Sequence, residues 1–185
     1  QHAAALDLVH RGRLELFAAR GEWESFQVCI VAGDQPLERV TLEAPELPGL
    51  PPPSVYRLAY VERTEPSGRS SNPTRFWPDA LVPAQPVNLP AKGFATFWVT
   101  YRIPDDAKPG RHKGTLKVTS PSRRKPWKLG CRVHVFNFVL AARSVPLLAP
   151  VTPRALANAF GPERGETIAS QLYSQLAPFG VGPLL

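Results

Sequence analysis

The segment GFATFWVTYRIPDDAKPGRHKGTLKV, from Gly93 to Val118, constrains the fold more than any other part of the chain. Ala95, Phe97, Val99, Tyr101 and Ile103 fall at every second position, the period of a strand with one buried face. Pro104 removes a backbone donor, and Asp105-Asp106-Ala107-Lys108-Pro109-Gly110 has the chemistry of a turn. Gly114, Leu116 and Val118 then point one way, with Thr115, Lys117 and Thr119 opposite. The pattern predicts two strands joined as a hairpin. A second run repeats the signal: Trp127, Leu129, Cys131, Val133 and Val135 alternate with Lys128, Gly130, Arg132 and His134, apolar inside and basic outside.

The remaining segments read the same way. Strands are expected over 13–19, 23–32, 38–44, 55–63 and 87–89. The 23–32 strand carries apolar side chains on both faces, which predicts a central strand covered on both sides. The chain holds 22 prolines in 185 residues. They cut it into short pieces and favour strands and turns over long helices. Residues 64–75, rich in Gly, Ser and Pro, read as an exposed loop. The prolines of Phe76-Trp77-Pro78-Asp79-Ala80-Leu81-Val82-Pro83 forbid a central strand and suggest a loop pinned by its own side chains. By strand spacing, the first ~140 residues form an all-β domain.

After Ser144-Val145-Pro146 the character changes. Leu147 to Val151 is a short apolar run. Pro162 to Ala177 is the one convincing helix, with proline in its first turn and Glu163 and Glu166 near its positive end. Ile168, Leu172, Tyr173 and Leu176 share a face. The closing VGPLL reads as a further strand. Strand, helix and strand make the opening of an α/β repeat. The expected organisation is therefore a β domain over 1–145, then a linker and a first β-α unit over 146–185.

The net charge of +7 admits an acidic partner, but the cations are scattered enough to be a solvated surface. The densest cluster, Arg123-Arg124-Lys125, lies between two strands. No aromatics interleave it as nucleic-acid binding requires, so no nucleic-acid partner is expected. No apolar run approaches a membrane span. The start of the chain lacks a signal peptide, and the absence of methionine leads us to expect a processed or excised piece. Cys29 and Cys131 could pair in an oxidising compartment or be two small buried apolar residues. Neither has a cysteine at zinc spacing, and His2, His10, His112 and His134 form no i,i+4 pair. With no phosphate-cradling glycine loop either, no metal or cofactor is expected.

Glycoside hydrolysis needs paired carboxyl groups, or one carboxyl acid with a positioned substrate amide. The candidate pairs are Glu22/Glu24, Asp105/Asp106 and Glu163/Glu166. The second belongs in a turn and the third at a helix start. Of the tryptophans, Trp127 alternates with the core set, whereas Trp77, beside Asp79, is the candidate platform for a sugar ring.

Five phrases in order carry a resemblance: 20–27 (RGEWESFQ), 77–83 (WPDALVP), 97–100 (FWVT) with 103–104 (IP), 109–115 (PGRHKGT) and 133–138 (VHVFNF). Together they resemble the N-terminal β-sandwich of glycoside hydrolase family 123 and the related domain-of-unknown-function 4091 proteins, over about 13–145. Ala80 stands where that family usually has proline, and His112 where it usually has an aromatic such as tyrosine. The resemblance implies an antiparallel β-sandwich followed by a (β/α)8 barrel. In the family that barrel carries an Asp-Glu pair that cleaves N-acetyl-β-galactosaminides with the substrate's own acetamido group as nucleophile. No position here matches that pair, so no catalytic residue carries over. Glu22, Gln27 and Trp98 are expected to be structural or interface residues, with Glu22 and Gln27 a buried hydrogen-bonded pair or a tie to the barrel. The partners implied are the catalytic barrel of the same parent chain and a glycan, in a secreted or periplasmic setting. Two other readings stand beside this one: a module that presents Trp77 and basic loops to a glycan or other polyanion, and a structural part of an extracellular assembly.

Overall fold

The computed structural model describes residues 13–62, 76–140, 147–149, 152–177 and 181–183. The chain divides into two compact units, 1–140 and 141–185. The first holds β1 (Leu14–Arg20), β2 (Trp23–Val31), β3 (Leu37–Glu43), β4 (Ser54–Glu62), β5 (Phe76–Pro83), β6 (Val87–Leu89), β7 (Phe94–Arg102), β8 (Gly110–Thr119) and β9 (Trp127–Val139). They make a five-stranded sheet in the order β1-β9-β8-β3-β6 and a four-stranded sheet in the order β2-β7-β4-β5.

The alternation read from the sequence is the packing pattern. Phe97, Val99, Tyr101 and Ile103 are at most 1% exposed. Val99, Tyr101 and Ile103 meet Leu16, Ala18, Val133 and Val135 of the other sheet in one apolar cluster. Ile30, Val40, Leu89, Leu116 and Val118 form a second cluster with Ala95 and Phe97. Both clusters draw on both sheets, so the unit is a β-sandwich. Each fully buried Val, Ile or Phe contributes roughly 1.5–3 kcal/mol.

Four details differ from the sequence reading. First, β7 and β8 are not a hairpin. β7 pairs with β2 and β4, whereas β8 pairs with β3 and β9. The connection is an arch from one sheet to the other. Period two marks which side chains face the core, and strands in opposite layers face the same core. Ile103 and Ala107, both buried, carry the core around the bend. The true hairpin is β8–β9. Second, β2 is an edge strand, and Trp23, Cys29 and Val31 on its outward face are exposed. Third, 76–83 is a strand rather than a loop, and it lies at the sheet edge, where its prolines are tolerated. Fourth, β1 runs parallel to β9, whereas the other strand pairs of the sandwich among the described residues are antiparallel. Beyond β1 the chain crosses to the other sheet at Gly21, whose φ of +83° favours glycine. The expected loop over 64–75 lies outside the described residues.

In the second unit, β10 (Leu147–Ala149) pairs in parallel with β11 (Val181–Pro183), and α1 (Pro153–Phe160) and α2 (Pro162–Leu176) connect them. This is a β-α-β unit with two helices where one was expected. The α1 helix has a start signal in the sequence: Thr152 Oγ1 accepts from the Ala155 N–H at 3.2 Å, with proline next to it. Gly165 of α2 lets the helices approach. A Cβ there would overlap the Ala157 backbone.

Candidate functional site

The acids were the first candidates, and the local structure employs them. Glu22 Oε2 accepts the Ala19 N–H at 2.6 Å. The Gly21 N–H donates to the Ile103 carbonyl and the Ile103 N–H to the Glu22 carbonyl. Glu22 therefore closes the corner between β1 and β2. Glu24 pairs in register with Tyr101. Burial, and then the neighbouring Glu22 charge, push its carboxyl above the usual range. Asp105 packs against the same corner, with Oδ1 2.8 Å from where a Gly21 Cβ would lie. Glu22 and Asp105 thus both belong to the turn at Gly21. Glu163 and Glu166 are exposed near the start of α2. Among the described residues no three His, Cys, Asp or Glu side chains are grouped as a metal site, and both cysteines are free, Cys29 exposed and Cys131 buried.

Trp77 pairs with Val61, and both are exposed. By alternation along β4 they share the face that takes Val55 toward the core. Asp79 and Ala80 stand together opposite Ala59, because the register steps from Leu58↔Leu81 to Tyr60↔Pro78. The two residues form a β-bulge on the edge strand. Asp79 is exposed. Trp77 and Asp79 are thus neighbours on one edge, not two walls of a cleft.

Gln27 and Trp98 meet on the outward face of the four-stranded sheet, opposite each other in register, with Tyr56 on Trp98's other side. Trp98 Nε1 donates to Thr100 Oγ1 at 2.8 Å, and Thr100 Oγ1 lies 2.9 Å from Ser25 Oγ. Gln27 is exposed. It is therefore not half of a buried pair with Glu22. Trp23, Val31, Phe94 and Leu81 are exposed on the same sheet.

The outward face of the five-stranded sheet has a different chemistry. Glu15, Phe17, Lys113, Lys117, Lys128, Arg132 and His134 alternate with the buried positions of β1, β8 and β9. Phe17, His134, Phe136 and Phe138 stack in a row with ring centroids 5.2–6.2 Å apart. A depression of about 630 Å³ beside Lys117 is lined by Glu43, Ala44, Pro45, Glu46 and Thr115. Glu43 is paired with Lys117 there, at 3.6 Å. Basic alternation was visible in the sequence, but the strand that lies opposite β9, and its register, were not.

The fold class is a two-sheet β-sandwich with a β-α-β unit following it in sequence. No family model and no curated protein matches the sequence. Among solved structures, the chain is similar in fold to a family 123 glycoside hydrolase from Clostridium perfringens, solved in a study of glycolipid glycan hydrolysis. The TM-score is 0.77 at 17% identity, over 96% of this chain and 34% of that one. This chain thus spans about a third of that protein's length. At such identity the likeness is one of fold. Amebosin, in a solution structure, aligns with a TM-score of 0.36 at 13% identity over 66% of this chain and 88% of its own, too low a score to carry an argument.

Proposed function

We propose that this chain is the non-catalytic, supporting N-terminal sandwich of a secreted or periplasmic glycoside hydrolase acting on N-acetylhexosaminides. In this reading the β-α-β unit opens the catalytic barrel, and the barrel of the same parent chain supplies the reacting carboxyl groups. The observation that carries the reading is the fold likeness to a family 123 hydrolase over 96% of the chain. The state of the acids supports it. Glu22 closes a turn and Glu43 is held by Lys117. Neither is poised as the acid of a hydrolytic pair.

The test is turnover of a nitrophenyl N-acetyl-β-galactosaminide. The purified chain is expected to release no nitrophenol. Release that disappears on Glu24→Gln or Glu43→Gln would place the chemistry in the sandwich and overturn the reading.

A further inference from the structure

Acidic residues stop at Asp106 and do not resume until Glu163. The β8–β9 hairpin lies wholly inside that gap. Its register sets Lys117 opposite Lys128 and Lys113 opposite Arg132, with Arg111 opposite His134. All six point outward, because Leu116, Val118, Cys131, Val133 and Val135 of the same strands are buried. The connecting loop adds Arg123, Arg124 and Lys125.

Like charges directly opposed across a ladder destabilise it. The acids on neighbouring strands relieve only part of this. Glu43 pairs with Lys117 at 3.6 Å. Glu15 pairs with Arg132 at 2.7 Å and more loosely with Arg13 at 3.9 Å. Arg111, Lys113 and Lys128 are exposed and have no ion pair among the described residues. A solvated surface gains nothing from cations stacked in register. A bound anion along the ribbon would turn the repulsion into attraction.

The layout selects among polyanions. Alternate residues of a strand lie about 6.6–6.8 Å apart, so Lys113 and Lys117 stand about 13 Å apart along the ribbon. Between those two cationic rows lie only Thr115 and Gly130. Single-stranded nucleic acid needs aromatic rings between the charges to stack its bases. Here the exposed rings Phe17, Phe136 and Phe138 gather at one end. Charges at intervals, a hydroxyl and a bare backbone between them, and stacking rings at the end suit a chain of sugars with acidic substituents.

We propose that the outward face of the β8–β9 ribbon binds an anionic polysaccharide, sulfated or uronate-bearing, with a sugar ring stacked on Phe136 and Phe138 at its end. The inference is independent of the proposed function, since it requires no hydrolysis and no barrel.

The experiment measures retention of the whole chain on immobilised dextran sulfate, polygalacturonate, neutral dextran and single-stranded DNA, at about 0.15 M salt. Retention is expected on one or both acidic polysaccharides and not on dextran. The double variant Lys113→Glu/Lys128→Glu should bind roughly tenfold or more weakly, with a shallower salt dependence. Lys92→Glu/Arg102→Glu makes the same change in net charge in and beside the four-stranded sheet rather than on the ribbon, and should bind as the parent does. Lys128→Glu also removes a repulsive pair, so its melting temperature should not fall. Equal loss in the two double variants would show charge without place and overturn the proposal. So would tighter binding to single-stranded DNA than to either polysaccharide, or no retention at all.

Discussion

Replacing Cys131 by alanine should flatten the alkaline loss of stability of the sandwich. Cys131 lies on the inward face of β9, 2% exposed, beside Tyr101, whose hydroxyl donates to the Pro45 carbonyl at 2.8 Å. Burial pushes the thiol up from 9.0 to about 11. Burial, and secondarily Cys131, push the Tyr101 phenol up as well. Between those two values the unfolded chain has lost its thiol proton and the folded chain has kept it. The folded state therefore binds more protons, and stability falls as pH rises through that window. Two pH units at about 1.4 kcal/mol each correspond to about 2–3 kcal/mol. With a urea dependence of about 1–3 kcal/mol/M, the midpoint should drop by about 1–3 M across the window. Urea titrations of the parent and of Cys131→Ala, followed by tryptophan fluorescence from about pH 8 to about pH 11, would measure it. The difference between the two proteins removes the contribution of the lysines and the other tyrosines, and the part of the Tyr101 shift that Cys131 causes goes with the thiol. An alkaline slope that survives unchanged in Cys131→Ala would refute the reasoning.

Three further outcomes are expected. Glu24→Gln should raise the melting temperature at neutral pH, because it removes a charge opposed by burial and by Glu22. The gain should shrink on acidification, as the parent's Glu24 takes up a proton, and a gain constant with pH would contradict this. Gly21→Ala should cost about 1–2 kcal/mol for the left-handed backbone, plus the displacement of Asp105; an unchanged denaturation midpoint would count against the tight corner. Gly165→Val should speed amide exchange in α1 and α2, because its Cβ meets the Ala157 backbone, and should leave β7 and β9 protected. Slower exchange in the helices would rule out that close approach.

The alternation in β7, β8 and β9 was enough to state which side chains face the core, since period two is a property of the strand itself. It was enough to place the α2 helix and the β-α-β order, because proline, acid and apolar spacing are local signals. It could not say that β7 and β8 lie in different sheets, or that β2 is an edge. Those are matters of which strand hydrogen-bonds to which, and a strand exposes the same ladder groups on both sides. Glu22 looked like half of a pair with Gln27 until the turn at Gly21 brought its carboxylate to the Ala19 N–H. The stacking of Lys113 on Arg132 and of Lys117 on Lys128 likewise exists only once β8 and β9 are set in register. Composition supplied the positive charge; the hydrogen-bonded ladder decided that it would stand in rows.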